Sequence, residues 1–267
     1  MAEIKTVALN DFSMDYARLG KGEKILILLP GLSMQSVLDS ISLIEEAYAI
    51  FLDKFTLYIF DRKKDITKPY STEEIAKDTG KAIKALGLKN VNVFGASQGG
   101  MMALWLAAKE KELVEKIVIA STTPKVCKEE FEIIDEWIKL AKEKRIEELY
   151  LSFCDHLFAK NMREELKESY REASRLVKKE EIERFIFCGE GMRYFDISKQ
   201  LETISCPMLI TADRDDDVFG FSATTKIIQY LSKQCPYRLE ISEGYGHAAY
   251  DVSPHYKEMI LNFLLEK

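Results

Sequence analysis

The sequence predicts an α/β architecture, a mostly parallel central sheet flanked by helices, and three features of its 267 residues carry that prediction. Short apolar runs without strict alternation recur along the chain, as expected of strands buried on both faces. Helical patterns separate them, and repeated strand–helix–strand order is how crossover connections build a parallel sheet. Between Pro124 and Gln200 the rhythm breaks into a densely charged, helix-patterned stretch with no clear strand.

The elements follow in order. Residues 4–9 and 13–19, around Asn10-Asp11, read as a hairpin at the sheet edge. Buried strands are expected at 25–29, ending at Pro30-Gly31, and at 55–60, ending at Asp61. Others are expected at 91–94 before Gly95, 117–120 before Ser121, 206–212, and 237–242. Helices are expected over 37–51, 72–86, 99–108, 222–232 and 254–265, the last containing His255 in its first turn. The run Met101-Met102-Ala103-Leu104-Trp105-Leu106-Ala107-Ala108 is apolar on every face, so that helix should be central. Within the charged stretch, Phe131, Ile134, Ile138 and Ala141 recur at helical spacing, as do Leu166, Tyr170, Ala173 and Val177. The plain reading is a core of residues 1–123 and 201–267, with 124–200 inserted as an all-helical cap.

Composition bounds the function. Hydrophobic residues make up 47% and charged residues 31%, with a net charge of −6, which is too apolar and too weakly charged for a disordered chain. No apolar run approaches the roughly 18 residues of a membrane span. The first residues lack a basic start followed by an apolar stretch, so no signal peptide is expected. Five cysteines without a CxxC pair suggest reduced thiols and a cytoplasmic location rather than a disulfide framework or zinc site. A pI near 5.4 argues against a nucleic-acid partner and leaves a small-molecule substrate as the expected one.

Gly95-Ala96-Ser97-Gln98-Gly99 fits G-x-S-x-G between a buried strand and a buried helix. On that turn a serine is held in a strained, exposed position, and glycines relieve crowding against neighbouring strands. The helix N-terminus adds amide N–H groups and partial positive charge. The bland alternative is a serine that only caps the helix. A nucleophilic serine needs a base, and the chain has three histidines. His247, in Gly244-Tyr245-Gly246-His247 after the last strand, suits the carboxyl edge of the sheet. His255 is the rival, and His156 lies in the charged insertion. The carboxylate that orients the imidazole has four candidates, Asp213, Asp215, Asp216 and Asp217, which spacing alone does not separate.

The chain resembles the α/β-hydrolase superfamily, specifically its members with a helical cap, over nearly its full length. The resemblance rests on Leu29-Pro30-Gly31-Leu32, Phe60-Asp61-Arg62, the Ser97 turn, 204–210 with the acidic turn, and Gly246-His247 followed by Pro254. The order Ser, Asp, His agrees with it. It implies an α/β-hydrolase fold and a serine hydrolase using Ser97, His247 and an acid. Aligning the family's G-x-x-D-x-x-V turn puts that acid at Asp215. The loop 121–124, where some relatives carry it, has no carboxylate. The resemblance further implies an oxyanion hole from the Leu32 and Gln98 backbone N–H groups, with neither cofactor nor metal. Asp61-Arg62-Lys63-Lys64, where relatives often have a Gly-rich turn, is expected to change only local loop shape away from the chemistry.

The expected activity is a carboxylesterase on small or medium apolar acyl esters, working through an acyl-enzyme. The same triad also serves C–C bond hydrolysis, lyase chemistry, perhydrolysis and acyl transfer, and a ligand receptor with slow turnover is the alternative of another class. Met34, Met101, Trp137, Phe153 and Phe158 are expected at the substrate. Tyr150, Phe185, Phe187 and Tyr194 are further candidates, of which only a fraction should touch it.

Overall fold

The computed structural model describes residues 2–266. The outer limits of the expected core, Met1 and Lys267, lie outside the described residues. Among the described residues eight strands form one sheet: β1 (Glu3–Ala8), β2 (Ser13–Leu19), β3 (Lys24–Leu29), β4 (Phe55–Lys63), β5 (Val91–Ala96), β6 (Val114–Ala120), β7 (Met208–Asp213) and β8 (Tyr237–Ser242). Their order is β1-β2-β4-β3-β5-β6-β7-β8. The expected edge hairpin is β1 with β2, and β2 also pairs antiparallel with β4. All remaining pairs are parallel. Strands β5 and β7 are buried at every position, as mostly apolar runs predict, with Asn92, Thr211 and Asp213 buried among them.

The crossover helices are α1 (Ile41–Ala47), α2 (Thr72–Ala85), α3 (Gln98–Lys109) and α8 (Phe221–Thr225), with α9 (Ala249–Val252) and α10 (Tyr256–Leu265) closing the chain. Ser71 caps α2 in a capping box with Glu74. In α3 every residue except Trp105 and Lys109 is buried, which matches its lack of a polar stripe.

Two expected helices are broken. Residues 37–51 form α1 between two 3₁₀ turns, Val37–Ser40 and Ala49–Phe51. The burial of Leu38, Tyr48 and Phe51 against the sheet bends the chain there, and α1 itself buries no residue. Residues 222–232 form α8 and then a 3₁₀ turn, Lys226–Tyr230. Here Thr224 is pinned to the loop after β6, its Oγ1 donating to the Thr122 carbonyl at 2.8 Å and accepting from the Thr122 N–H at 2.9 Å.

Four helices, α4 (Lys128–Lys142), α5 (Ile146–Leu157), α6 (Lys160–Ser174) and α7 (Lys179–Glu190), lie between β6 and β7. The chain leaves and returns at one point, where Lys125 and Asp196 form an antiparallel bridge. The Val126 N–H donates to the Phe195 carbonyl and the Ile197 N–H to the Pro124 carbonyl, each at 2.9 Å. Helices α4, α5 and α7 bury apolar faces, while α6 buries only Ser174. Among the described residues no helix is long and apolar enough to cross a membrane.

Candidate active site

The parallel strands β3, β5, β7 and β8 deliver their following loops to one edge of the sheet, where ligand crevices of open α/β sheets form. Ser97 follows the central strand β5. Its backbone has φ 54° and ψ −122°, a strained conformation for a residue with a side chain. The turn is held on both sides. The Ser97 N–H donates to the Ala120 carbonyl at 2.9 Å, and the Ser97 carbonyl accepts from the Gly100 N–H and the Thr122 hydroxyl. Helix α3 packs so close beneath β3 that a Cβ at Gly99 would lie 2.0 Å from the Leu29 carbonyl oxygen. That contact explains the second glycine of the motif.

His247 and Asp216 form a buried pair, with Nδ1 of the imidazole 2.9 Å from Oδ1 of the carboxylate and each side chain 1% exposed. Asp216 Oδ1 also accepts the N–H groups of Val218 at 2.9 Å and Phe219 at 3.3 Å. Burial pushes this carboxyl up, but the His247 charge, the His247 hydrogen bond and the two amides outweigh it. They hold the carboxyl below the usual carboxylate range.

Asp215, the residue favoured by motif alignment, points elsewhere, accepting the Gly244 N–H at 2.7 Å in an exposed position. Strand β7 stays paired through Asp213 opposite Ser242, one residue past the expected end at 212. A turn closed by the Asp216 N–H on the Asp213 carbonyl then brings Asp216 inward. Asp213 stays in the turn, accepting from the Asp215 and Gly246 N–H groups and the Ser242 hydroxyl. Asp217 pairs with Arg163 on the surface at 2.9 Å.

The rival histidines are elsewhere. His255 is not in the first turn of a helix but precedes α10 in the left-handed region, with its side chain 82% exposed beside Glu258. His156 lies on α5 against Ser152 and Trp137.

The loop carrying His247 is bound directly to the inserted helices. The Ala159 N–H donates to the Tyr245 carbonyl at 3.1 Å, and the Ala248 N–H donates to the Leu157 carbonyl at 2.8 Å. Gly246, at φ 84°, lies so close to this corner that a Cβ would come within 2.9 Å of Leu157, Phe158 and Ala159 backbone atoms. Arg163 ties the same corner to the acid loop, donating to the Phe158 carbonyl and to Asp217.

Ser97 and His247 line one cavity of about 580 Å³, together with the loop 30–37 and the inserted helices. Met34, Trp137 and Phe153 line it, and so does Tyr150. Met101 and Phe158 do not. Met101, four residues past Ser97, is fully buried in the main core. Phe158 packs on Tyr170 in a side cluster with Cys154 and Ala248. Phe185 packs edge-to-face behind Phe153, and Tyr194 is 90% exposed. Tyr170, Val218 and Tyr250 also line the cavity, outside the set expected at the substrate. The helical spacing that includes Tyr170 was the available signal.

Leu32 lines this cavity beside Ser97. Among the described residues neither the Leu32 nor the Gln98 backbone N–H donates to another protein group. Arg62, expected to lie away from the chemistry, sits in the middle of this arrangement. It is buried, and its Nη2 donates to the Pro30 and Gly31 carbonyls at 3.1 Å and to Gln98 Oε1 at 2.9 Å. One guanidinium thus ties the loop before Leu32 to the side chain of the residue after Ser97. Strand β4 extends through Lys63, beyond the expected end at Phe60, and this extension carries Arg62 under the loop. Next to it, Asp61 accepts from Ser36 at 2.6 Å and pairs with Arg184 of α7 at 3.0 Å.

Comparison with known proteins agrees with this architecture. Residues 24–254 match the family described as alpha/beta hydrolase fold. The chain is 25% identical over 226 residues to a putative carbamate hydrolase, RutD, of Caulobacter sp. (strain K31), covering 80% of this chain and 82% of the relative. It is 22% identical over 218 residues to 3-oxoadipate enol-lactonase 2 of Acinetobacter baylyi, covering 80% and 79%. Among solved structures, MGS-M2, an alpha/beta hydrolase enzyme from a Medee basin deep-sea metagenome library, superposes with TM-score 0.86 at 19% identity, covering 98% of each chain. A family match over most of the chain, on an eight-stranded sheet of this order, makes the protein a member of the alpha/beta hydrolase fold family.

Proposed function

We propose that this protein is a serine hydrolase that works through an acyl-enzyme and acts as a carboxylesterase. The observation that carries the reading is the strained Ser97 turn sharing one cavity with a buried His247–Asp216 pair. Ser97 Oγ attacks the ester carbonyl while His247 takes its proton through Nε2. The negative charge that develops on the carbonyl oxygen is received by the Leu32 and Gln98 N–H groups. His247 then protonates the leaving alcohol, and a water activated by the same imidazole releases the acid. Asp216 holds the Nδ1–H tautomer and stabilises the imidazolium. The chemistry requires no cofactor or metal. Its substrate is a small molecule enclosed beneath α4–α7, which act as a cap over the core.

The relatives support the reaction class, since a carbamate and an enol-lactone, the compounds in their names, are both opened at a carbonyl carbon. Apolar walls favour esters with apolar acyl groups over water-soluble polymers. The test is Ser97→Ala assayed on p-nitrophenyl esters. Turnover should vanish while the circular dichroism spectrum and thermal midpoint stay those of a folded protein. Parent-like rates in the alanine variant would remove Ser97 from the mechanism.

A further inference from the structure

The reaction cavity has two kinds of wall, and neither carries a net charge. The inserted helices supply an aromatic side, with Trp137 and Phe153 edge-to-face at 4.6 Å and Tyr150 and Tyr170 beside them. Burial pushes the Tyr150 and Tyr170 phenols well above their usual range, so both stay neutral at working pH. The core loop and α6 supply a polar strip. Ser40 and Ser169 lie exposed at the cavity mouth, and their hydroxyls and the Gln35 side-chain N–H have no protein partner among the described residues. None of the described residues lining the cavity is Asp, Glu, Lys or Arg.

The cations packed around this space are already engaged. Arg62 serves the Pro30 and Gly31 carbonyls and Gln98. Arg184 serves Asp61 and the Met34 carbonyl. Arg163 serves Asp217 and the Phe158 carbonyl. Lys257 serves Asp251 and the Tyr250 carbonyl. A smaller cavity of about 260 Å³ shares the loop 30–33, Val37 and Tyr250 with the first, and among the described residues its one charged lining residue, Asp251, is itself an acid.

We infer that the site selects uncharged esters or lactones whose acyl part is a bulky apolar or ring-bearing group, and rejects acyl groups that carry a carboxylate. This inference rests on the serine-hydrolase reading and adds the substrate class to it. A carboxylate that reaches the buried aromatic side, at Trp137, Tyr150 and Phe153, loses its water and gains no cation, a penalty that rises steeply with burial. A neutral ring meets aromatic edges on one side, while an ether, carbonyl or hydroxyl on it can use the Ser40, Ser169 and Gln35 groups.

The experiment compares two substrates of equal reach, mono-(4-nitrophenyl) glutarate and its methyl ester, at a pH where the free acid is ionised. The methyl ester should show a kcat/KM at least 100-fold higher. Independently of turnover, the concentration of each compound that halves the rate of fluorophosphonate labelling at Ser97 should differ in the same direction. A ratio within threefold by either measure overturns the inference. So does a preference for 4-nitrophenyl acetate over 4-nitrophenyl cyclohexanecarboxylate. Labelling separates the two levels of the reading: no adduct on Ser97 defeats the serine-hydrolase assignment itself. An adduct with equal handling of the two glutarates defeats only the charge selection.

Discussion

Replacing Asp216 by Asn removes one charge and almost no volume at the centre of the proposed triad. The Val218 and Phe219 N–H groups, 2.9 and 3.3 Å from Oδ1, should hold the amide oxygen of Asn in that same place. The His247 Nδ1–H bond then survives, and what is lost is the attraction between carboxylate and imidazolium. Two unit charges about 4 Å apart interact by about 4 kcal/mol at an effective dielectric of about 20. At roughly 1.4 kcal/mol per factor of ten, kcat should fall about 10³-fold. Asp215→Asn is the matched control, because it alters only an exposed bond to the Gly244 N–H and should change kcat by less than about threefold. Steady-state hydrolysis of one p-nitrophenyl ester by both variants, each confirmed folded by its thermal midpoint, measures the difference. A folded Asp216→Asn variant within threefold of the parent, or a large loss confined to Asp215→Asn, would refute the assignment.

Three further perturbations follow from contacts around the site. Gly99→Ala puts a methyl group 2.0 Å from the Leu29 carbonyl oxygen, a backbone overlap that should cost more than about 3 kcal/mol and show as a lowered thermal midpoint or insoluble protein. Arg62→Met leaves the Pro30 and Gly31 carbonyls and Gln98 without their shared donor. At about 1.5–3 kcal/mol for a charge-assisted hydrogen bond, kcat should drop about 10- to 100-fold with a smaller change in KM, and Arg62→Lys should recover part of it. Arg163→Gln frees the corner of α5 and α6 from Asp217, a pair exposed on the carboxylate side, so kcat should fall by no more than about fivefold. A stopped assay across substrate concentrations separates kcat from KM in both arginine variants.

The parallel sheet and its crossover helices could be read from the sequence because their signals are local. Five consecutive apolar residues before Pro30-Gly31 and an all-apolar helix after Ser97 leave little choice but burial. That Ser97 lies on a tight strand-to-helix turn and His247 on a loop at the carboxyl edge of the sheet could be read for a related reason, since a G-x-S-x-G turn and a glycine-flanked histidine each mark a backbone constraint. Which of the four aspartates among residues 213–217 meets His247 could not be read there. That depends on how the turn after β7 folds back on the loop after β8, a tertiary fact that no local pattern records. Arg62 escaped for the same reason, because its partners are some thirty residues away along the chain on both sides. The breaks at 37–51 and 222–232 reflect anchoring by Phe51 and by Thr224, contacts that override helical propensity. In the inserted helices, aromatic spacing located Trp137, Tyr150 and Phe153 at the cavity but did not separate them from Phe185 one layer behind.

The central claim is that Ser97 is an activated nucleophile, and the most direct measurement is intact-mass labelling with a small fluorophosphonate followed by peptide mapping. The account expects one adduct per chain, carried by Ser97, with the labelling rate strongly reduced in His247→Ala and the adduct absent in Ser97→Ala. A folded protein that hydrolyses esters but carries the adduct elsewhere, or labels equally well without His247, would contradict it.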